Sequence, residues 1–200
     1  EKIINRNNIS PNSICEVGCG AGGILKEMKL KYSDTIFTGY EISEDAFNLC
    51  QQKSSNNLKF YLSDIANEDV YYDIVMAIDV FEHVEDYFGF LKMLKNKAKY
   101  SIFHIPLDLS VQSVLRLSPV MSARAEVGHI HYFMKETAIS TLEDAGFEVI
   151  DYFYTKGAYD LPSKRISTKM LNLLRRILFM LSPDFTVRLL GGYSLLVLAR

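Results

Sequence analysis

Ser13-Ile-Cys-Glu-Val-Gly-Cys-Gly-Ala-Gly-Gly-Ile-Leu25 decides the fold. Ile14 to Val17 reads as a short apolar strand that breaks into glycines and restarts as a helix. Gly18, Gly20 and Gly22 stand at alternate positions. Glycine serves where a chain turns sharply with positive φ or lets its backbone approach a ligand. Glu16 sits just before the loop, at the carboxyl end of the strand, where open α/β sheets bind ligands. The stretch also satisfies the dinucleotide pattern G-x-G-x-x-G through Gly18, Gly20 and Gly23. A dinucleotide site needs its third glycine for close packing and aims a helix N-terminus at a pyrophosphate. Glu16 instead puts negative charge beside the ligand, which suits a cation.

Outward from this turn, strands and helices alternate. Ile24 to Lys31 predicts a helix, 35–41 a strand, and Ser43-Glu44-Asp45 the N-terminus of a second helix. Leu58 to Leu62 is a third strand. Tyr72 to Ile78 is an almost continuous apolar run, as a parallel strand buried on both faces requires. A helix follows to about Ala98, then a strand from Tyr100 to Ile105, stopped by Pro106. Residues 107–127 read as a substrate-side insertion with one short helix. Lys135 to Gly146 is a helix, Phe147 to Tyr154 a sixth strand, 163–181 an amphipathic helix and Tyr193 to Ala199 a seventh strand. The alternation implies a mostly parallel sheet with helices on both faces. One domain spans residues 1–200, with acceptor-side insertions at about 107–134 and 157–192.

Composition narrows the function. A hydrophobic fraction of 48% and a charged fraction of 23% are ordinary for a globular chain. A net charge of −2 gives no reason to expect nucleic-acid binding. No apolar run reaches the length of a membrane span. Cys15, Cys19 and Cys50 form neither a disulfide framework nor a zinc spacing, so they read as reduced thiols of a cytoplasmic protein.

Glu16-Val-Gly18-Cys-Gly20-Ala-Gly22 resembles the first motif of the class I S-adenosylmethionine (SAM)-dependent methyltransferases. The resemblance implies a Rossmann-like seven-stranded sheet with an antiparallel last strand, and SAM as cofactor with S-adenosylhomocysteine (SAH) as product. It places the cofactor against Glu16, Gly18, Cys19, Gly20, Gly22, Glu41, Ile42, Asp64, Ile65, Asp79 and Val80. Glu41 would accept from the ribose hydroxyls and Asp64 from the adenine amino group. Acidic residues at the ends of four successive strands are the strongest signal in the chain. Two rival readings stand beside it, an NAD(P)-dependent oxidoreductase and a non-catalytic SAM-binding protein.

The acceptor is expected to be a small molecule methylated at oxygen. Analogy with chains of this kind in AT-rich bacterial genomes suggests a sugar or phospho-sugar precursor of surface polysaccharide. The chain has 4 histidines. In Gly128-His129-Ile-His131, before Leu142-Glu-Asp-Ala-Gly-Phe147, the same resemblance puts the acceptor pocket, and a strand there would point His129 and His131 to one side. They are the candidate general bases. Asp79, Glu82 and His83 share a helical face and resemble the metal site of ubiquinone-type methyltransferases. The reading preferred to a divalent metal is that Glu82-His83 positions cofactor and helix. Ile166, Met170, Leu173, Leu174, Ile177, Leu178 and Leu181 form the stripe of the last helix, against Lys164, Arg165, Lys169, Arg175 and Arg176. That helix is expected to pack on the domain or on the second subunit of a homodimer, with contact to a membrane surface or to an anionic acceptor as the alternatives.

Overall fold

In the computed structural model, residues 1–156 and 166–200 are described. Lys164, Arg165, the start of the 163–181 helix and the first part of the 157–192 insertion lie outside them. Seven strands form one sheet: β1 (Ser13–Val17), β2 (Ile36–Glu41), β3 (Leu58–Leu62), β4 (Tyr72–Ile78), β5 (Ala98–Pro106), β6 (Val149–Lys156) and β7 (Tyr193–Ala199). Their spatial order is β3-β2-β1-β4-β5-β7-β6. β7 runs antiparallel to both of its neighbours and every other pairing is parallel.

The chain leaves β1 toward β2 and β3, then crosses back to β4 on the other side of β1. Such a reversal opens a crevice beyond the carboxyl ends of the strands. Alternation of side chains sorts the core into two layers. Ile14, Phe37, Ile74, Ile102 and Leu198 pack on one face. Cys15, Val75, Phe103 and Val197 pack on the other. All three cysteines are free thiols and buried.

The helices are α1 (Lys2–Arg6), α2 (Gly23–Lys29), α3 (Glu44–Gln51), α4 (Tyr87–Lys95), α5 (Val111–Arg116), α6 (Ser118–Ser122), α7 (Lys135–Asp144), α8 (Ile166–Leu181) and α9 (Pro183–Leu190). Ser43 caps α3 as the sequence predicts, its hydroxyl accepting from the amide of Ala46 at 3.4 Å. The helix expected between β4 and about Ala98 forms only in its later part, as α4, which carries Phe88, Leu91 and Leu94. A 3-10 turn at Phe81–His83 buries Glu82 instead. Asp86 then caps a new helix, accepting from the amide of Gly89 at 2.9 Å. The insertion after Pro106 holds α5, α6 and a π-turn at Ala123–Val127 rather than one short helix. The Ser110 and Ser113 side chains close a capping box at the start of α5. α9 was not foreseen; it begins at Pro183, whose fixed φ suits a first helical turn.

Candidate active site

The glycine turn carries the positive φ angles that its sequence requires. Gly18, Gly20 and Gly22 have φ of 66°, 52° and 71°. A Cβ on Gly22 would lie 2.6 Å from the Phe60 ring and 2.9 Å from Cys50 Cβ, whereas one on Gly23 meets nothing within 4 Å. The glycine needed for close packing is therefore Gly22 and not the third glycine of the dinucleotide pattern. A Cβ on Gly20 would also meet nothing, so its backbone borders open space. The amides of Gly18 and Cys19 donate to Tyr40 O at 2.9 and 3.1 Å, tying the turn to β2.

The four acidic residues stand at the ends of β1 to β4, each with different surroundings. Glu16 is 2% exposed, and its Oε2 has no hydrogen-bond partner. Burial pushes its carboxyl up to about 8. A buried, unmatched carboxylate beside a bare backbone turn fits a cationic ligand group. Glu41 accepts from the amides of Gly20, Ile42 and Ser43 at 2.8, 2.9 and 2.9 Å. It joins the glycine turn to the end of β2. Asp64 accepts from the amide of Ala66 at 2.9 Å, capping a short 3-10 turn. Ile42 is exposed at the rim, Val80 packs close to Gly18, and the Ile65 side chain lies wholly within the core. Ile65 can therefore offer a ligand only its backbone.

Asp79 marks the seam between the two halves of the sheet. Its φ is +53°, in the left-handed region. Oδ1 of Asp79 lies 2.6 Å from His104 Nδ1, and His104 Nε2 lies 2.7 Å from Thr155 Oγ1. No local pattern signals this chain of three, since its members come from three separate strand ends.

Asp79 is thus engaged with His104, and the group that gathers is a different one. Glu82, His83 and His129 each place a ligating atom within 4.8 Å of the others. Glu82 is fully buried, neither carboxylate oxygen has a partner, and burial pushes its carboxyl up to about 8. Asp79 and Asp108 push it the same way. His83 Nδ1 lies 3.0 Å from Gly128 O, and His129 Nδ1 lies 2.7 Å from Asp108 Oδ2. Each acceptor holds the proton on Nδ1 and leaves Nε2 with its lone pair. That is how outer partners orient imidazole ligands. In the alternative reading of a metal site, the set Asp79, Glu82 and His83 does not gather; Glu82, His83 and His129 do, because the 3-10 turn replaces the helix start.

His129 and His131 meet different partners. Residues 128–134 are not a strand, because the amides of Ile130 and His131 both donate to Glu82 O, at 3.0 and 3.1 Å. His131 Nε2 donates to Val84 O at 2.9 Å, and its ring packs on Tyr87 with centroids 4.5 Å apart. His129 instead lines a cavity of about 500 Å³ over the ends of β5 and β7. Leu107, Asp108, Ser110, Arg175, Tyr193 and Ser194 share its wall. Asp108 escaped the sequence reading; its one cue is its place two residues after the Pro106 that stops β5.

Residues 2–152 match the protein family described as a methyltransferase domain. Solved structures share the fold. Magnesium protoporphyrin IX methyltransferase from Synechocystis PCC 6803, with bound SAH, gives a TM-score of 0.65 at 18% identity, over 99% of this chain and 78% of that one. A SAM-dependent methyltransferase from Archaeoglobus fulgidus gives 0.63 at 20% identity, over 99% and 91%. The mycolic acid cyclopropane synthase CmaA1, complexed with SAH and CTAB, gives 0.66 at 18% identity, over 94% and 76%.

Proposed function

Because this chain belongs to the class I SAM-dependent methyltransferases, its residues 2–152 carrying the methyltransferase domain, we propose that it methylates a hydroxyl of a small acceptor held in the cavity beside His129. The observation that carries this reading is the pairing of His129 Nδ1 with Asp108 Oδ2 at 2.7 Å in the wall of that cavity. Bound SAM supplies a sulfonium that makes its methyl group electrophilic. The turn at Gly18–Gly22, with Glu16 and Glu41, would hold the cofactor, and Asp64 and Ile42 would meet its adenosine end. His129 Nε2 takes the proton as the acceptor oxygen forms its bond to the methyl carbon, and Asp108 steadies the resulting imidazolium. The products are SAH and the methyl ether, with one proton released.

Leu107, Pro119, Val127, Leu171 and Tyr193 give the cavity a largely apolar wall, with hydroxyls and guanidinium groups between them. This lining supports an acceptor with an apolar body more than a bare sugar. The test is methyl transfer from radiolabelled SAM to a panel of hydroxyl acceptors and their amine counterparts, with SAH titrated in parallel beside NADH. Transfer confined to hydroxyls, and lost in His129→Ala with SAH affinity intact, supports the reading. Binding of NADH in place of SAH, or transfer that ignores His129, refutes it.

A second reading rests on the two unmatched oxygens of buried Glu82. Glu82, His83 and His129 would hold a divalent cation, which would acidify a bound hydroxyl. Thermal shifts with Mg²⁺, Mn²⁺ and Zn²⁺ that vanish in Glu82→Gln would support it; equal shifts in both proteins would exclude it.

A further inference from the structure

α8 sits with its apolar stripe turned outward. Met170, Leu173, Leu174, Ile177, Met180 and Leu181 recur at helical spacing, and each is exposed, from 45% for Leu174 and Ile177 to 78% for Leu181. The inward face carries Arg175, only 7% exposed. Its Nη1 donates to Asn172 Oδ1 at 3.0 Å and its Nη2 to Leu190 O, at the end of α9, at 2.8 Å. Phe179 faces inward too, stacked on Tyr193 with centroids 4.7 Å apart. These contacts fix the rotation of the helix. Of the two packings expected for this helix, on its own domain or on a second subunit, the stripe does not make the first among the described residues.

The exposed stripe has neighbours of the same kind. α9 packs on α8 and on α5, and α5 on α6. Leu115 on α5, Leu117 between α5 and α6, and Met121 on α6 are 82%, 60% and 50% exposed, and Phe185 on α9 is 57% exposed. Large apolar side chains exposed together on packed elements mark an interaction face. Its charge says with what. Arg175 and Asp108 are turned inward, and the exposed charges of residues 107–127 and 166–181 are four basic residues, Arg116, Arg124, Lys169 and Arg176, against one acid, Glu126, in a chain of net charge −2. A two-fold partner copy would bring basic residues against basic residues. An apolar stripe flanked by arginine and lysine suits the headgroup region of an anionic bilayer.

We propose that the face built from α5, α6, α8 and α9 docks on an anionic lipid surface. No helix among the described residues is long and apolar enough to cross a membrane. The contact is therefore one of lying on the surface. α5, α6 and α8 also line the cavity, so docking presents its mouth to the bilayer. The proposal stands on the exposed face alone and does not depend on the acceptor or on His129.

The experiment is co-sedimentation of the full chain with vesicles of phosphatidylcholine alone, or mixed equally with phosphatidylglycerol, in low and high salt. Sedimentation with the mixed vesicles, weakened by salt, is the expected result. A Leu173→Glu/Met180→Glu variant should lose binding by on the order of tenfold or more while keeping its melting temperature and SAH affinity. Lys169→Glu/Arg124→Glu should lose binding to the mixed vesicles as well. No sedimentation with mixed vesicles overturns the proposal, as does binding undiminished in both variants. A concentration-dependent dimer abolished by Leu173→Glu/Met180→Glu, with no vesicle binding, assigns the face to a second copy and also overturns it.

Discussion

Nδ1 of His129 lies 2.7 Å from Oδ2 of Asp108, and this pair divides the two histidines that the sequence had grouped. An imidazole whose Nδ1 proton is held by a carboxylate keeps Nε2 basic and aimed. His129→Ala should lower turnover on the order of a hundredfold or more, with SAH affinity unchanged. Asp108→Asn should lower it by about tenfold or more and alter the pH profile, because an amide cannot stabilise the imidazolium. Single-turnover methyl transfer measured across pH checks both. Wild-type rates in either variant would remove the pair from the chemistry.

His131 is held by a backbone carbonyl, Val84 O, and by the ring of Tyr87. His131→Ala should keep turnover within about threefold of wild type while lowering stability by about 1 kcal/mol, the worth of one hydrogen bond. Steady-state kinetics and urea melts separate the two effects. A large loss of kcat with unchanged stability would restore His131 to the mechanism.

The Glu41 carboxylate accepts three backbone amides from two loops. Glu41→Ala should weaken SAH by about tenfold or more, since it removes both the expected ribose acceptor and the tie to Gly20. Calorimetric titration reads this directly. Unchanged affinity would refute the ribose assignment.

Glu16 predicts a pH dependence of known sign. Its carboxyl lies near 4.5 when unperturbed and is pushed up to about 8 by burial. The folded chain binds that proton more tightly than the unfolded chain. The stabilisation is therefore complete below about pH 4.5 and is lost as pH rises toward about 8. The slope from this one group is at most about 1.4 kcal/mol per pH unit. Urea melts from about pH 5 to about pH 8 should show a smaller fall in Glu16→Gln than in wild type. Equal slopes would show that Glu16 is ionised in the fold.

Gly22 should tolerate no side chain. Its φ of +71° and the approach of the Phe60 ring to 2.6 Å both oppose a Cβ. Gly22→Ala should destabilise by about 2–4 kcal/mol, and adding Phe60→Leu should restore part of it. Gly23→Ala, in open space at an ordinary φ, should cost little. Parity of the two glycine variants would contradict the packing.

Much of the cofactor half was legible because its signals are local. Glycine spacing reports backbone that must turn, and near-continuous apolar runs report strands buried on both faces. The acids at the ends of β1 to β4 lie in those strands or within two residues of them, so finding the strands found the acids. The helix after β4 was misread for a local reason as well. Glu82 fits a helical pattern, yet Asp86 caps a new helix four residues later and leaves a 3-10 turn before it.

The strand–helix order, the glycine turn and the four acidic strand ends can be read along the chain, since each depends on neighbours within a few residues. Which groups meet depends on the packed fold. Asp79 finds His104 25 residues away, His129 finds Asp108 21 residues away, and Arg175 finds the Leu190 carbonyl 15 residues away. Periodicity shows that a helix has an apolar stripe but not what covers it. The direction in which α8 turns that stripe is set by Arg175 and Phe179, through contacts with α9 and β7 that the pattern along the helix does not contain.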